Sequence, residues 1–470
     1  MTDALVVGSG PNGLAAGLTL AKAGVQVTVL EARDEIGGGT RTVQPFGEGI
    51  LVDHCAAFHP MAVQSPALAG LERYGLQWAW PEIDAAHPLD DAAPALLHRS
   101  VETTAAGLGA DARRWRTLFG APSRAWEKLA GDILGPVVHL PRHPLLMGRF
   151  GTPTLLPAAL LARFFRTEQA RALFLGTTAH AMRPLTEVLS SAIGMGILTA
   201  GHHDGWPVVV GGTQALTDAM AKALVDLGGK IETGVRVTSA SQLPAADAVL
   251  LNLSPTAALG LYDDQLPSGS RRAYRRYRYG PAAFKVDFAV EQGIPWRDAE
   301  LARAGTLHLA GGPAEIIAGE KAVAAGRMPE RPFVLLGQQY VADPSRSRGD
   351  VHPVYSYAHV PAGYDGDATE AITAQIERFA PGFRERIVGV HVTRPGDFAS
   401  VNENWVGGDI LTGAKSPASL VLGPRPGRNP YRTGARGVYL CSAAAPPGPG
   451  AHGMAGYRAA RLALKDLGRA

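Results

Sequence analysis

Three groups of residues have types and spacings that can do chemistry. The first is Gly8-Ser-Gly10-Pro11-Asn12-Gly13, with Glu31 placed 23 residues after Gly8. Glycine at Gly8 allows a tight turn, at Gly10 a close backbone approach to a pyrophosphate, and at Gly13 close packing of helix on strand. Glu31, followed by Ala32 and Arg33, stands at the distance where an acid accepts both hydroxyls of an adenosine ribose. Its charge would repel a 2′-phosphate, which argues against NADP. The second group is Gly37-Gly38-Gly39-Thr40-Arg41-Thr42. Small residues there permit another close approach, and Arg41 can bring a fixed charge to phosphates. The third is Gly448, Gly450 and Gly453, which repeats the first spacing near the end of the sequence. A second dinucleotide fingerprint is not expected, because too little sequence follows for another strand and acid.

The candidates for acid–base or catalytic work are Lys285, His359 and His452. No Ser-His-Asp or paired-carboxylate pattern accompanies them. His202-His203-Asp204 is the nearest approach to a metal cluster, but adjacent side chains cannot easily converge on one ion, and no metal site is expected. His54 and His59 are expected to be structural. The two cysteines, Cys55 and Cys441, provide neither a disulfide framework nor a CxxC redox pair.

The elements that position these residues are legible in the apolar pattern. Ala4–Val7 is an uncharged run suited to a parallel strand buried on both faces. An Ala/Leu-rich helix to Gly24 and a strand over 25–30 follow it. From 100 to 200, Trp115, Leu118, Phe119, Trp126 and Leu129 recur at helical spacing, which predicts a helical subdomain. The unit from Gly205 to Leu253 predicts a helix over 216–227, a strand over 230–237 and a buried strand over 247–253. Alternation then begins: Phe284, Val286, Phe288 and Val290 share one face, Lys285 and Asp287 the other. Further strands are predicted at 306–310, 333–340, 354–360 and 388–393, with an amphipathic helix over 368–379 ended by Pro381. The five strands make a mostly antiparallel sheet, with Lys285, Gln338, Tyr357 and His359 as candidates to line a pocket.

At 470 residues and net charge +3, the chain can bury a large core and shows no electrostatic case for nucleic acid. The basic run Arg271–Arg278 is expected to be the solvated end of a helix. The apolar stretch 145–165 is interrupted by Arg149, Pro153, Pro157 and Arg163 and is not expected to span a bilayer. A soluble, cytoplasmic protein is the expectation, with peripheral membrane contact of the helical region and homodimerisation left open.

Val6-x-Gly8-x-Gly10-x-x-Gly13, Glu31 and the glycine run to Arg41 together resemble the FAD-binding fold shared by phytoene dehydrogenases, monoamine oxidases and Rab GDP-dissociation inhibitors. Phe284-Lys-Val-Asp287, Gly407-Gly408-Asp409 and Cys441-Ser-Ala-Ala-Ala-Pro-Pro-Gly448 narrow the resemblance. They look like the bacterial phytoene-dehydrogenase-like proteins similar to pyridine nucleotide-disulphide oxidoreductase domain-containing protein 2. The resemblance implies an α/β fold with a Rossmann-type FAD-binding domain assembled from 1–90, 205–265 and 425–470. It also implies a helical subdomain or lid over 91–204 and a substrate domain with a mixed or antiparallel sheet over 266–424. FAD is then the expected cofactor, with Gly8, Gly10, Pro11, Asn12, Gly13, Glu31, Ala32, Arg33, Gly38, Gly39, Thr40, Arg41, Val237, Gly450, Gly453, Met454 and Ala455 expected to bind it. Backbone at Val237 would meet the adenine. N–H groups from Gly453 to Ala455 would face the flavin edge that becomes negative on reduction. The implied activity is hydride acceptance from an apolar small molecule, with oxygen, a quinone or another carrier as electron acceptor. A flavin amine oxidase is the alternative, and a non-catalytic binding protein on the same fold a further one.

Overall fold

The computed structural model describes residues 2–427 and 429–469. The uncharged N-terminal run forms the strand Asp3–Val7 at the centre of a five-stranded parallel sheet. Its order is Val438–Leu440, Ala248–Leu251, Asp3–Val7, Gln26–Leu30, Lys230–Glu232. Three stretches far apart in sequence therefore build one sheet. Ala4 and Val6 face the helices Pro11–Lys22, Gln214–Asp226 and Met454–Asp466, while Leu5 and Val7 pack with Leu251, Tyr262 and Leu440 on the other side. Both faces are covered, as the absence of alternation in Ala4–Val7 requires.

The first and last helices meet backbone to backbone. A Cβ on Gly456 would lie 1.7 Å from the Asn12 carbonyl oxygen, and one on Gly13 1.9 Å from that of Gly8. Both contacts exclude any side chain, so glycine fixes the approach of these helices to the fingerprint turn.

The second sheet has seven strands, in the order Ile387–Thr393, Ala282–Glu291, Val351–Val360, Val334–Gly337, Ala304–Leu309, Ile83–His87, Ala95–Leu97. Every pairing is antiparallel except Ala304–Leu309 with Ile83–His87. The sheet exceeds the five strands expected, because Ile83–His87 and Ala95–Leu97 join its edge. Ile83–His87 thus leaves the 1–90 segment assigned above to FAD binding. Its run Ile-Asp-Ala-Ala-His shows no strand pattern because all five residues are buried, polar ones included. The predicted strand 333–340 stops at Gly337, and Gln339–Ala342 is helical.

Alternation correctly sorts the faces of the long strand. Phe284, Val286, Phe288 and Val290 pack with Ile372, Ile376 and Phe379 of helix Thr369–Phe379. On the other face, Thr393, Lys285, Tyr357, Leu335 and His308 occupy successive strands in one row. The helical region 101–204 covers this face with Trp115, Phe119, Trp126 and Phe174, all buried. Among the described residues no single helix is long and apolar enough to cross a membrane.

Candidate active site

Parallel strands in an open α/β sheet leave a crevice beyond their carboxyl ends, and here that crevice deepens into a cavity of about 990 Å³. One part is walled by Gly8, Gly10, Glu31, Gly38 and Arg41, another by residues 442–452, and a third by helix Ser191–Asp204 and the second sheet. This volume lies at the upper end of the range for small-molecule and cofactor sites.

The fingerprint turn is held in shape by the protein itself. Gly8 has φ +97°, a region that favours glycine. Gly10 and Gly38 stand back to back, such that a Cβ on Gly38 would lie 3.2 Å from the Gly10 Cα. Glu31 accepts from the Ser9 N–H at 2.9 Å and the Ser9 hydroxyl at 2.6 Å through one oxygen, and from the Arg33 N–H at 3.0 Å through the other. Oε2 is thereby filled by its two donors, and Oε1 keeps one free lone-pair direction toward a ligand hydroxyl. Arg41 donates to the carbonyls of Ile36, Glu35 and Val401, with Glu31 3.7 Å away. Burial pushes its pKa down against the pull of Glu31. Three of its five N–H groups are thereby used, and two remain for a phosphate.

Pro11, Asn12, Ala32, Arg33, Gly39, Thr40, Val237, Gly450 and His452 also line the cavity. Gly13, Gly453, Met454 and Ala455 do not. Gly13 serves the helix–strand contact described above. Gly453 packs against Ala15 and Ala67, and the N–H of Met454 donates to Nδ1 of His452 at 3.1 Å. The expectation that the first N–H groups of the last helix face a flavin is corrected for Met454. Its donor is capped by the imidazole just before it, and the residues facing the cavity are those of the preceding loop. The cap also fixes His452 as a neutral imidazole with an unprotonated Nδ1.

Two other catalytic candidates are placed elsewhere. Lys285 forms a buried, two-oxygen ion pair with Asp287 and lies 4.4 Å from the Tyr355 ring centroid, outside the cavity lining. The i, i+2 spacing that puts both on one face makes this pair, and a lysine so held cannot act as a free base. His359 bonds through Nδ1 to Glu320 at 2.6 Å, is fully buried, and likewise does not line the cavity. Gln338 is spent on the carbonyls of Leu301 and Ala304. Tyr357, of the four pocket candidates, does line it.

Several lining residues were missed by sequence reasoning. Asn252 follows strand Ala248–Leu251. With its amide oriented to suit its neighbours, its oxygen accepts from the N–H groups of Gly10 and Gly13 at 3.3 Å. Position at the carboxyl end of a parallel strand was the available signal. Cys55 lines the cavity with its thiol pushed up to about 12 by burial, so it stays protonated. Lys415 donates to the Leu411 carbonyl at 2.9 Å, and burial lowers its pKa to about 8. His180 and Trp206 carried no motif.

The glycine cradle, the ribose-facing acid and the long cavity define a dinucleotide-dependent oxidoreductase fold. The chain belongs to the flavin containing amine oxidoreductase family, which matches residues 12–461. It is 38% identical over 93 residues to pyridine nucleotide-disulfide oxidoreductase domain-containing protein 2 of Rattus norvegicus, a match covering 20% of this chain and 16% of that protein. It is 32% identical over 143 residues to one of the subunits of limonene dehydrogenase from Castellaniella defragrans, covering 29% and 25%. These matches span a quarter or less of the relatives' own length. Among solved structures, a cofactor-binding redesign of putrescine oxidase superposes with TM-score 0.63 at 19% identity over 100% of this chain and 99% of that one. Cyclohexylamine oxidase from Brevibacterium oxydans gives 0.61 at 18% over 99% of each; at such identity the likeness concerns the fold. Membership of this family makes FAD the cofactor and oxidoreductase chemistry the class of reaction.

The residues present fit that cofactor: the back-to-back glycines leave a cradle that a Cβ would fill, and Glu31 and Arg41 keep unspent acceptor and donor capacity. Removing Glu31 takes away a charged acceptor and frees the Ser9 turn. Glu31→Ala is expected to weaken FAD retention roughly ten- to a hundredfold, the range for a charge-assisted hydrogen bond. Flavin content after gel filtration measures it, and undiminished content would contradict the ribose assignment.

Proposed function

We propose that this enzyme dehydrogenates an apolar small molecule at carbon. The observation that carries this reading is the part of the cavity away from the glycine turns, which is walled by Phe58, Met61, Leu189, Ile193, Ile197 and Leu335. The acidic residues lining the cavity among those described are Glu31, Asp132 and Glu403. Glu31 belongs to the ribose end. Asp132 is engaged by the N–H groups of Arg142 and His143, and Glu403 by Arg236. None is free to receive an ammonium group. FAD bound here supplies hydride acceptance. The chain's own contribution is to position the substrate carbon and exclude water, which is what such chemistry needs most. Limonene, a hydrocarbon, in the name of one relative agrees with this reading.

Amine oxidation is the second reading, favoured by the family and by the substrates named for the structural neighbours. Anaerobic mixing of the FAD-loaded protein with alkenes, acyl compounds and amines separates the two. Loss of visible flavin absorbance is expected with the apolar compounds; loss with amines alone would overturn the proposal.

In the helical region the lining residues Val137 and Leu155 are solvent-exposed, so the cavity reaches the surface there. In the same region Leu140 and Leu145 are 93% and 91% exposed, and Arg142, Arg149, Arg163 and Arg166 are exposed as well. Exposed apolar tips on a region that also exposes arginines suit the surface of an anionic bilayer, from which an apolar substrate would enter directly. Burying two leucines contributes about 3 kcal/mol or more. Leu140→Ser with Leu145→Ser is therefore expected to reduce co-sedimentation with phosphatidylserine vesicles at least tenfold. Equal sedimentation of both proteins would refute the docking face.

A further inference from the structure

His180 sits in the short turn Ala179–Ala181 after helix Glu168–Thr178, followed by Met182 at φ +46°. The turn presses its imidazole against His308 of the second sheet, Nε2 to Nε2 at 2.9 Å. One of these nitrogens must donate and the other accept. His308 decides which. Its Nδ1 is sealed from solvent and has no partner among the described residues. A buried orphan N–H is rarer than a buried orphan acceptor, so the His308 proton sits on Nε2 and is donated to His180. The neutral state of both rings follows from their surroundings. Burial and the neighbouring imidazoles of His87, His180 and His359 hold His308 well below the usual range, and Glu320 is occupied by His359.

His180 then accepts at Nε2 and carries its own proton on Nδ1. That nitrogen has no partner among the described residues, yet the protein does not seal it. His180 lines the cavity, so the N–H opens onto it. The row of the sheet that holds His308 supplies a second group. His308, Leu335 and Tyr357 are aligned on successive strands, and the Tyr357 hydroxyl also lacks a partner among the described residues without being sealed. The Tyr355 hydroxyl, by contrast, is spent on the Cys55 carbonyl at 2.8 Å.

We propose that the Nδ1–H of His180, with the Tyr357 hydroxyl on the same cavity wall two strands from His308, forms a binding subsite for an oxygen acceptor on an otherwise apolar substrate: a carbonyl, hydroxyl or ether oxygen. The inference rests on the apolar-substrate reading above and narrows it. A neutral N–H donor held by a donor behind it offers nothing to an ammonium group, which itself only donates. At His180 a protonated amine would set its N–H groups against another N–H, leaving only the Tyr357 hydroxyl to accept from it, so the subsite favours an oxygen acceptor.

Matched ligands test this on the FAD-loaded full chain, with binding followed by perturbation of the flavin spectrum. The probes are 2-octanone, octane and 2-aminooctane. One hydrogen bond to a neutral donor corresponds to about tenfold in affinity. The wild type is expected to bind 2-octanone about tenfold more tightly than octane. His180→Phe is expected to lose that preference with octane binding and flavin content unchanged, and His180→Gln, which keeps an N–H donor, to regain part of it. Equal binding of ketone and alkane by the wild type, or ketone affinity unchanged in His180→Phe, would overturn the subsite and leave the apolar-substrate reading standing. Tightest binding of 2-aminooctane, lost in His180→Phe, would overturn both. A protein in which none of the three perturbs the flavin would overturn the apolar-substrate reading and the subsite with it.

Discussion

Replacing Arg346 by methionine is expected to destabilise the protein by about 3–5 kcal/mol, the cost of stranding a buried charge. Arg346 is fully buried between two carboxylates, with Nη1 2.6 Å from Asp53 and Nε 3.2 Å from Asp343. Its Nη2 donates to the Val209 carbonyl at 2.8 Å. Methionine matches much of the volume, so the loss would be one of charge and hydrogen bonding. Asp53 also accepts from the Thr42 hydroxyl at 2.7 Å and the Thr213 N–H at 2.8 Å, while Asp343 accepts from the Gly211 N–H at 2.8 Å. One guanidinium thus ties the strand after the second glycine turn, the return segment at 209–213 and the substrate sheet. Urea unfolding measures the stability change. Pairing Arg346→Met with Asp53→Asn and Asp343→Asn should recover part of it, because the stranded charges are then absent. A loss below about 1 kcal/mol in the single variant would show that the ion triad is not what joins these segments. FAD affinity is expected to fall with stability, because the Thr42 clamp sets the turn from Gly37 to Arg41.

None of that triad was legible in the sequence, where its members lie up to 293 residues apart and carry no local pattern. What the sequence does reveal is whatever a short window enforces. The buried run Ala4–Val7, the glycine spacing and the acid at Glu31 are local, and they specify the strand, the turn and the next strand without reference to anything else. Alternation likewise assigns Lys285 and Asp287 to one face. It also contains the information that they neutralise each other, since residues two apart on a strand are neighbours; Lys285 as a free base conflicts with that spacing. His452 shows the opposite case. A histidine two residues before a helix N-terminal N–H can cap it, and whether it does depends on the loop's path. His180 and His308 are beyond local reasoning altogether, because only the packing of the helical region on the sheet brings rings 128 residues apart into contact. Ile83–His87 escaped for a related reason: complete burial abolishes the period that identifies a strand.

Acid is expected to unfold this protein cooperatively, with stability falling from about pH 6.5 downward. Burial lowers the pKa values of His59, His87, His202 and His452 to about 4 from 6.5. For two of them the hydrogen bonds agree. His202 accepts from the Trp115 indole N–H at 2.8 Å, with its other nitrogen 3.2 Å from the Arg99 carbonyl, and His452 accepts the Met454 N–H. Protonation would set donor against donor at both. The sign follows from linkage. Between pH 6.5 and 4 the unfolded chain binds protons that the native protein refuses, so stability rises with pH there and is lost as pH falls. Each histidine contributes up to about 1.4 kcal/mol per pH unit inside that window. Four together would remove most of an ordinary protein's stability within roughly two units. Proton uptake on unfolding in urea at about pH 5.3 should approach about four from these histidines, superimposed on any carboxylate contribution. His202→Gln and His452→Gln retain an acceptor but cannot titrate, and each should lower the uptake by about one proton and flatten the acid limb. Uptake unchanged in both variants would mean these imidazoles are already charged in the native protein, and the caps at Trp115 and Met454 would have to be redrawn.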